Sequence, residues 1–275
     1  MFLSDYHLHS SFSFDSVQTI EEIAEIAVKK NIHEIAITDH IELAACNLPD
    51  CRANILKASE EIDRVGESKK GKLVIRKGIE VGNAHLEPEE AKARSQSFAG
   101  DFIIGSVHNL EWGKDVAFYA YSHIDKEKFF SAYLDAVLCV AKSSDYDVLG
   151  HITYPLKAMY EQTGTIPDMG KYTEQFRRIF RTVIDRGKGI EVNTSGQRSL
   201  LCRLLPDEDL LYLYKECGGT ILTLGSDAHK LSDVGEGISD AAKALLKLGF
   251  SEITVYEGRK PIPKRIENDG LRRER

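Results

Sequence analysis

Two rhythms of apolar residues alternate along the chain. Short, nearly continuous runs of strand character come at Phe2-Leu3, leading into His7-Leu8-His9, at Glu34-Ile35-Ala36-Ile37-Thr38, and at Leu73-Val74-Ile75, carried on to Gly78-Ile79-Glu80. They recur at Phe102-Ile103-Ile104-Gly105-Ser106-Val107, Val148-Leu149-Gly150, Gly189-Ile190-Glu191-Val192 and Thr220-Ile221-Leu222-Thr223-Leu224. Between them the spacing lengthens to that of an amphipathic helix. Thr19 and Glu22 form a capping box ahead of Ile20, Ile23, Ala24 and Ala27, so a helix runs to about Lys30. Further helices are expected on Ile55, Leu56, Ile62 and Val65, after Pro88, and on Phe129, Tyr133, Val137 and Val140. Three more are expected on Tyr172, Phe176, Ile179, Phe180 and Val183, on Leu210, Leu211 and Tyr214, and on Val234, Ile238, Ala241, Ala242 and Leu245. Ile253-Thr254-Val255-Tyr256 is a candidate eighth strand. Strands alternating with helices predict an α/β fold with parallel strands, closed into a barrel or opened as a doubly wound sheet, and the pattern favours the barrel.

On a barrel, chemistry gathers where the C-terminal strand ends meet. His7 and His9, two apart on an extended strand, share a face. His40, Glu80, His108, His151 and the pair Asp227 and His229 fall at or just past the ends of other strands, and Asp15 lies in the loop after the first. Each histidine taken singly is as readily a core or capping residue. Their common placement on one rim is what argues for a site. Six histidines with Asp15, Glu80 and Asp227 and no cysteine form a donor set suited to zinc, iron or manganese. Nine donors exceed one tetrahedral ion, so two or three ions are expected. His33 falls on the opposite rim and reads as surface, His85, five residues beyond Glu80, as a residue behind the ligands or on an exposed loop rather than a ligand, and His123, in the long aromatic connection, is undecided. The aromatics Trp112, Phe118, Tyr119 and Tyr121 are expected mostly as core packing under that connection, with a lid stacking on an imidazole as the alternative.

Length and composition narrow the classes. A chain of 275 residues, 42% apolar, builds one large domain or two small ones. A net charge of −7 argues against a general nucleic-acid binder. Cys46, Cys51, Cys139, Cys202 and Cys217 are odd in number and unpaired by spacing, and read as reduced cytosolic thiols. No apolar run approaches the ~20 residues that span a bilayer, so a cytoplasmic chain with no membrane partner is expected. The basic tail from Arg259 to Arg275 reads as a frayed, solvated end.

The segments HLHSSFSFD (7–15), ITDH (37–40), GIEVG (78–82), GSVH (105–108), LGH (149–151), EVNTSGQR (191–198) and GSDAHK (225–230) resemble, in order, the motifs of the PHP (polymerase and histidinol phosphatase) superfamily. The EVNTSG-x-R segment and the stretch 249–261 resemble the monofunctional histidinol-phosphatases within it. The resemblance implies a single domain over 1–275, a distorted seven-stranded (β/α) barrel of TIM-like type with a trinuclear metal site. It implies one ion on His7, His9, Glu80 and Asp227, a second on Glu80, His108 and His151, and a third on Asp15, His40 and His229, with Glu80, Asp227 and His229 at the catalytic centre. The chain departs from the pattern at Asp15, where some relatives carry histidine, and at Lys157, where arginine is frequent.

The implied activity is hydrolysis of a small-molecule phosphomonoester, L-histidinol phosphate. Clustered divalent ions offset the phosphate charge and lower the pKa of a bound water so that it attacks as hydroxide. Arg198 is the first candidate for clamping the phosphate, because its fork matches two oxygens, and Lys157 is the second. Other PHP phosphoesterases, acting on protein phosphotyrosine or nucleotides, share the same metals, and a non-catalytic PHP module is the reading from another class. The oligomeric state is not legible.

Overall fold

A computed structural model describes residues 1–44 and 52–266, so Cys46, Cys51 and the tail from 267 onward lie outside the described residues. The strands are, in chain order, β1 (Ser4–Leu8), β2 (Glu34–Ile37), β3 (His40–Glu42), β4 (Val74–Gly82), β5 (Phe102–Ser106), β6 (Asn109–Glu111), β7 (Lys114–Asp115), β8 (Val148–Leu149), β9 (Gly189–Asn193), β10 (Leu222–Gly225), β11 (Glu252–Glu257) and β12 (Lys260–Arg265). Seven of them pair in parallel in the order β1-β2-β4-β5-β8-β9-β10, and short β3 adds alongside β4. The ring nearly closes where Leu8 bridges Ala228: Asp227 N–H donates to the His7 carbonyl at 2.8 Å and His9 N–H to the Ala228 carbonyl at 3.1 Å. The barrel alternative is therefore the one adopted.

The helices are α1 (Ile20–Lys29), α2 (Arg52–Ser68), α3 (Pro88–Ser97), α4 (Lys126–Ser143), α5 (Pro155–Thr163), α6 (Thr173–Asp185), α7 (Glu208–Glu216) and α8 (Ile238–Lys247). The capping box on α1 forms as expected, with Thr19 Oγ1 accepting from Glu22 N–H and the Glu22 carboxylate accepting from Thr19 N–H. Such a cap stabilises a helix by about 1 kcal/mol. On α6, Phe176, Ile179, Phe180 and Val183 are all buried, a stripe at helical spacing facing the barrel. No described helix is long and apolar enough to cross a membrane.

Several elements differ from the expectation. Leu56 is exposed, pointing away from the stripe that buries Ile62 and Val65. Val234 is buried but precedes α8, and Tyr172 flanks α6. Helix α5 was not expected: its buried Pro155, Leu156, Ala158 and Met159 follow i, i+3, i+4 spacing, but they span little more than one turn of a nine-residue helix.

The candidate eighth strand is β11, and it leaves the barrel. Gly258 and Arg259 both take positive φ, 54° and 64°, and make a two-residue turn that returns the chain antiparallel as β12. The hairpin packs against the barrel interior: Val255 and Tyr256 cluster with Tyr6, Ala36, Phe102, Ile104 and Val148. Arg259 consequently does not begin a frayed tail. Its guanidinium pairs with Asp145 at 2.9 Å and with buried Asp147, and its N–H donates to the Asp101 carbonyl. A second polar network fixes the same end: Tyr6 O–H donates to Glu34 at 2.6 Å, Arg76 donates to Glu34 at 2.7 Å, and Tyr256 N–H donates to the Tyr6 oxygen at 2.8 Å.

Candidate active site

The opposite end of the barrel is built from β1 outward. The pairing of β1 with β2 shifts register between Asp5 and Leu8, so side-chain alternation is broken once. Tyr6 goes to the closed end of the interior, Leu8 packs outward with Ile20 and Ile23 of α1, and His7 and His9 both enter the mouth, fully buried. Asp5 ties this strand to the loop bearing Asp227, accepting N–H groups of Ser226 at 2.8 Å and Gly235 at 2.9 Å. Its burial pushes the carboxyl up to about 6.

Glu80, at the centre, is inaccessible to solvent. Its Oε2 lies 3.1 Å from both His7 Nε2 and His40 Nδ1, and its Oε1 lies 2.9 Å from His151 Nε2 and 3.2 Å from His108 Nε2, while Ser106 O–H donates to Oε1 at 2.6 Å. Burial by itself would raise its pKa, but the positive charge on His7, His40 and His108 outweighs that and holds the carboxyl well below its ordinary range. Asp227 is fixed at positive φ, 55°, a conformation that costs a non-glycine residue about 1 to 3 kcal/mol. It places Oδ1 3.6 Å from His9 Nε2 and 3.6 Å from His229 Nδ1. At the outer edge Asp15 Oδ2 lies 3.3 Å from His40 Nε2 and 3.0 Å from His229 Nε2.

All nine expected donors thus meet in one mouth, in four groups whose donor atoms lie within 4.8 Å of one another: His9, Asp15, His40 and His229; His7, Glu80 and His151; His7, His9 and Asp227; His40, Glu80 and His108. The rings are more widely shared than the three-way partition implies, since His40 turns Nε2 toward Asp15 and Nδ1 toward Glu80. His9 tests the fit to cations. It is sandwiched between the rings of His40 and His229 at 4.3 and 4.2 Å, and neither of its nitrogens has a hydrogen-bond partner among the described residues. Burial, then the charges of His40 and His229, lower its pKa to about 3, so it is neutral with a lone pair to give. An unsatisfied buried polar group costs about 1 to 3 kcal/mol, and a bound cation removes that cost.

Two carboxylates at this mouth escaped the sequence reading. Glu191 Oε1 lies 2.7 Å from His7 Nδ1, and its Oε2 accepts the His151 N–H at 2.7 Å. Glu42 Oε1 lies 2.6 Å from His108 Nδ1 and 3.1 Å from His40 Nδ1. Signals for both were present: Glu191 sits in a second Gly-Ile-Glu-Val like that around Glu80, and Glu42 follows His40 by two on a strand. Asn83 adds an amide whose oxygen accepts the N–H groups of His108 and Asn109. Among the described residues none of the other three histidines enters a donor group, and this decides the open case of His123. His33 accepts the Leu3 N–H at the closed end, His85 is half-buried, and His123 is exposed.

A cavity of about 680 Å³ opens over the donors. Arg198 and Lys157 both line it. One edge of the Arg198 guanidinium is anchored, donating from Nη2 to the Ser226 carbonyl at 2.7 Å with Nε 3.5 Å from Asp233, while Nη1 has no partner among the described residues. Lys157, on unexpected α5, donates to Ser195 Oγ at 3.1 Å. The rings that face imidazoles are Phe14, 5.2 Å from His40, and Tyr154, 5.1 Å from His151. Of the 112–121 aromatics, Tyr121 is buried as expected. Trp112, in the turn between β6 and β7, and Phe118, between buried Val116 and Tyr119 packed against the core, are 60% and 80% exposed, and Phe118 lines the cavity instead.

Known proteins are similar to this chain in sequence and fold. A histidinol-phosphatase of Lactococcus lactis is 29% identical over 269 residues, covering 93% of this chain and 95% of that protein. A probable histidinol-phosphatase of Clostridium acetobutylicum is 28% identical over 242 residues, covering 87% and 91%. The crystal structure of the L. lactis histidinol phosphate phosphatase complexed with zinc, L-histidinol and phosphate superposes with a TM-score of 0.81 at 26% identity, covering 94% of this chain and 98% of that one. A model of the PHP domain matches residues 5–195, from the carboxylate that anchors His7 to the serine that receives Lys157, and the chain belongs to the PHP domain family.

Proposed function

We propose that this chain is a metal-dependent phosphomonoesterase that hydrolyses L-histidinol phosphate to L-histidinol and phosphate, a step of histidine biosynthesis that we place in the cytoplasm, with a small-molecule substrate and no nucleic-acid partner. The observation that carries the reading is the buried ring of nitrogen and carboxylate donors around Glu80, under a cavity that holds Arg198 and Lys157. Two to three divalent transition-metal ions, zinc, iron or manganese, belong to this donor set. His7, His9, Asp227 and Glu80 would hold one, Glu80 with His108 and His151 a second, and Asp15, His40 and His229, joined by His9, a third. Bound there, such ions supply neutralisation of the phosphate and a water of lowered pKa.

The chain's own groups do the rest. Arg198, anchored along one edge, has Nη1 left to donate to a phosphate oxygen. Lys157 adds a point charge from α5. The cavity is also lined by the carboxylates Asp115, Glu161 and Asp233 and by the rings of Phe118 and Tyr154. That lining suits a leaving alcohol bearing an ammonium and an imidazole, and disfavours the anionic remainder of a nucleotide. The L. lactis relative, with L-histidinol and phosphate in its crystal structure, supports the same choice.

Steady-state hydrolysis of histidinol phosphate, a phosphotyrosine peptide and a nucleoside monophosphate by the metal-loaded protein tests this. We expect kcat/KM for histidinol phosphate to exceed the others by roughly a hundredfold or more. Preference for either competitor would assign the chain to another PHP phosphoesterase. No turnover of any of them by protein with full metal content would assign it to a binding module.

A further inference from the structure

We propose that Glu42 is a positioning residue that couples two of the metal sites, so that loss of its carboxylate weakens both together. The inference rests on the donor groups being metal sites and goes beyond that reading. Strand β3 pairs in parallel with β4 in the register His40 with Glu80 and Glu42 with Gly82, which puts His40 and Glu42, two apart, on one face beside the central carboxylate. From there a single oxygen, Oε1, reaches two rings, His108 Nδ1 at 2.6 Å and His40 Nδ1 at 3.1 Å, which share the group around Glu80 and of which His40 also belongs to the outer group with His9, Asp15 and His229. His108 presents its other nitrogen to Glu80 and to His151, at 3.2 and 3.3 Å. His40 presents its other nitrogen to Asp15, beside His9 and His229.

A carboxylate that accepts the Nδ1–H of a ligating imidazole fixes its tautomer and its plane and makes the opposite nitrogen a better donor. Glu42 holds His108 in this way, and the same oxygen stands 3.1 Å from His40 Nδ1, a charge contact without hydrogen-bond geometry that a ligating His40 would keep. The second oxygen, Oε2, is not free to swing: Asn83 Nδ2 donates to it at 2.8 Å, and the Asn83 oxygen in turn accepts the N–H groups of His108 and Asn109. Room for the carboxylate comes from Gly82, where an added Cβ would stand 2.3 Å from Oε1 and 2.5 Å from Oε2. Glu191 makes the contrasting contact, holding His7, and leaves His40 and His108 untouched.

The test is stepwise zinc binding to the metal-stripped full chain, by competition with a chromogenic chelator and by elemental analysis, for wild type, Glu42→Gln, Glu42→Asp, Gly82→Ala and Glu191→Gln. Melting of the metal-stripped forms is measured alongside. We expect Glu42→Gln to weaken two binding steps, each by roughly 10- to 100-fold, and to spare the remaining one, with metal-stripped melting unchanged. Gly82→Ala, which displaces the carboxylate without removing it, should move the same two steps, and Glu42→Asp should recover part of the loss. Glu191→Gln should weaken a different step. Wild-type zinc binding in Glu42→Gln, a single altered step, or uniform loss together with lowered metal-stripped melting would each overturn the coupling. Absence of zinc from the wild-type protein would instead overturn the metal reading itself.

Discussion

The two ends of the barrel bury carboxylates in opposite ways. At the closed end each one meets a permanent cation: Glu34 lies against Arg76, and Asp147 against Arg259. At the open end Glu80, Glu42, Glu191 and Asp227 meet histidine rings and, except for Asp227, a neutral donor such as Ser106 or Asn83, with no lysine or arginine side chain paired to them among the described residues. Imidazole carries charge only when protonated, and a ligating imidazole is neutral. The closed end is thus electrically complete within the chain, while the open end becomes so when it binds cations. One end serves stability and the other serves chemistry, and substitutions should divide along that line.

The sharpest break in the comparison is Glu80→Gln. Removing the carboxylate that touches four histidines should lower kcat by roughly 1,000-fold or more and release bound metal, while melting of the metal-stripped protein stays near wild type. Turnover and elemental analysis on the same sample check this, and retained metal with retained turnover would mean that Glu80 is not the shared donor. Asp15→Ala touches only the outermost group, so its activity loss should be smaller, roughly 10- to 100-fold, with one ion lost per chain. A loss equal to that of Glu80→Gln would place the chemistry at the outer group.

Arg198 sharpens the comparison from the substrate side. Arg198→Ala should lower kcat/KM by roughly 10- to 100-fold, mostly through KM, with metal content intact, because a contact made equally in ground and transition states is uniform binding. Arg198→Lys should recover only part, since a point charge lacks the fork. Unchanged kinetics would leave this guanidinium as an anchor of the Ser226 carbonyl. The smallest effect on activity belongs to the closed end. Arg76→Ala leaves Glu34, which is 4% exposed, without its cation, and should lower stability by about 2 to 3 kcal/mol, at the low end for a broken buried pair because Arg76 is partly solvated. Metal content and kcat of the folded fraction should not move, and denaturant unfolding with parallel metal analysis separates the two.

Much of the site was legible because its residues sit at strand ends, where a run of β-branched residues stops at a histidine or a carboxylate. His7 with His9, Glu80, His108, His151 and Asp227 with His229 could all be located on one rim from that pattern alone. Glu42 and Glu191 were missed although the repeat of Gly-Ile-Glu-Val and the spacing from His40 hinted at them, because those signals do not say whether a glutamate faces solvent or a neighbouring imidazole. Lys157 was named without the helix that carries it, since the apolar pattern of α5 spans little more than one turn of its nine residues.

The chain's linear pattern was enough to determine the alternation of strands and helices, the side on which chemistry gathers, and the donor types, because periodicity and strand-end position are local properties. Tertiary structure decided what depends on distant segments meeting. The register shift in β1 sends Tyr6 to one end and two histidines to the other, and the Gly258-Arg259 turn makes a plug of the expected eighth strand. The sharing of His40 between two donor groups is likewise invisible in a linear reading, since it depends on where Asp15, Glu42 and Glu80 converge around one ring. The β1 register, the seating of the hairpin on Tyr6 and Phe102, and the approach of Asp15 and Glu80 to His40 all join segments tens of residues or more apart, and that geometry exists only once the barrel has closed.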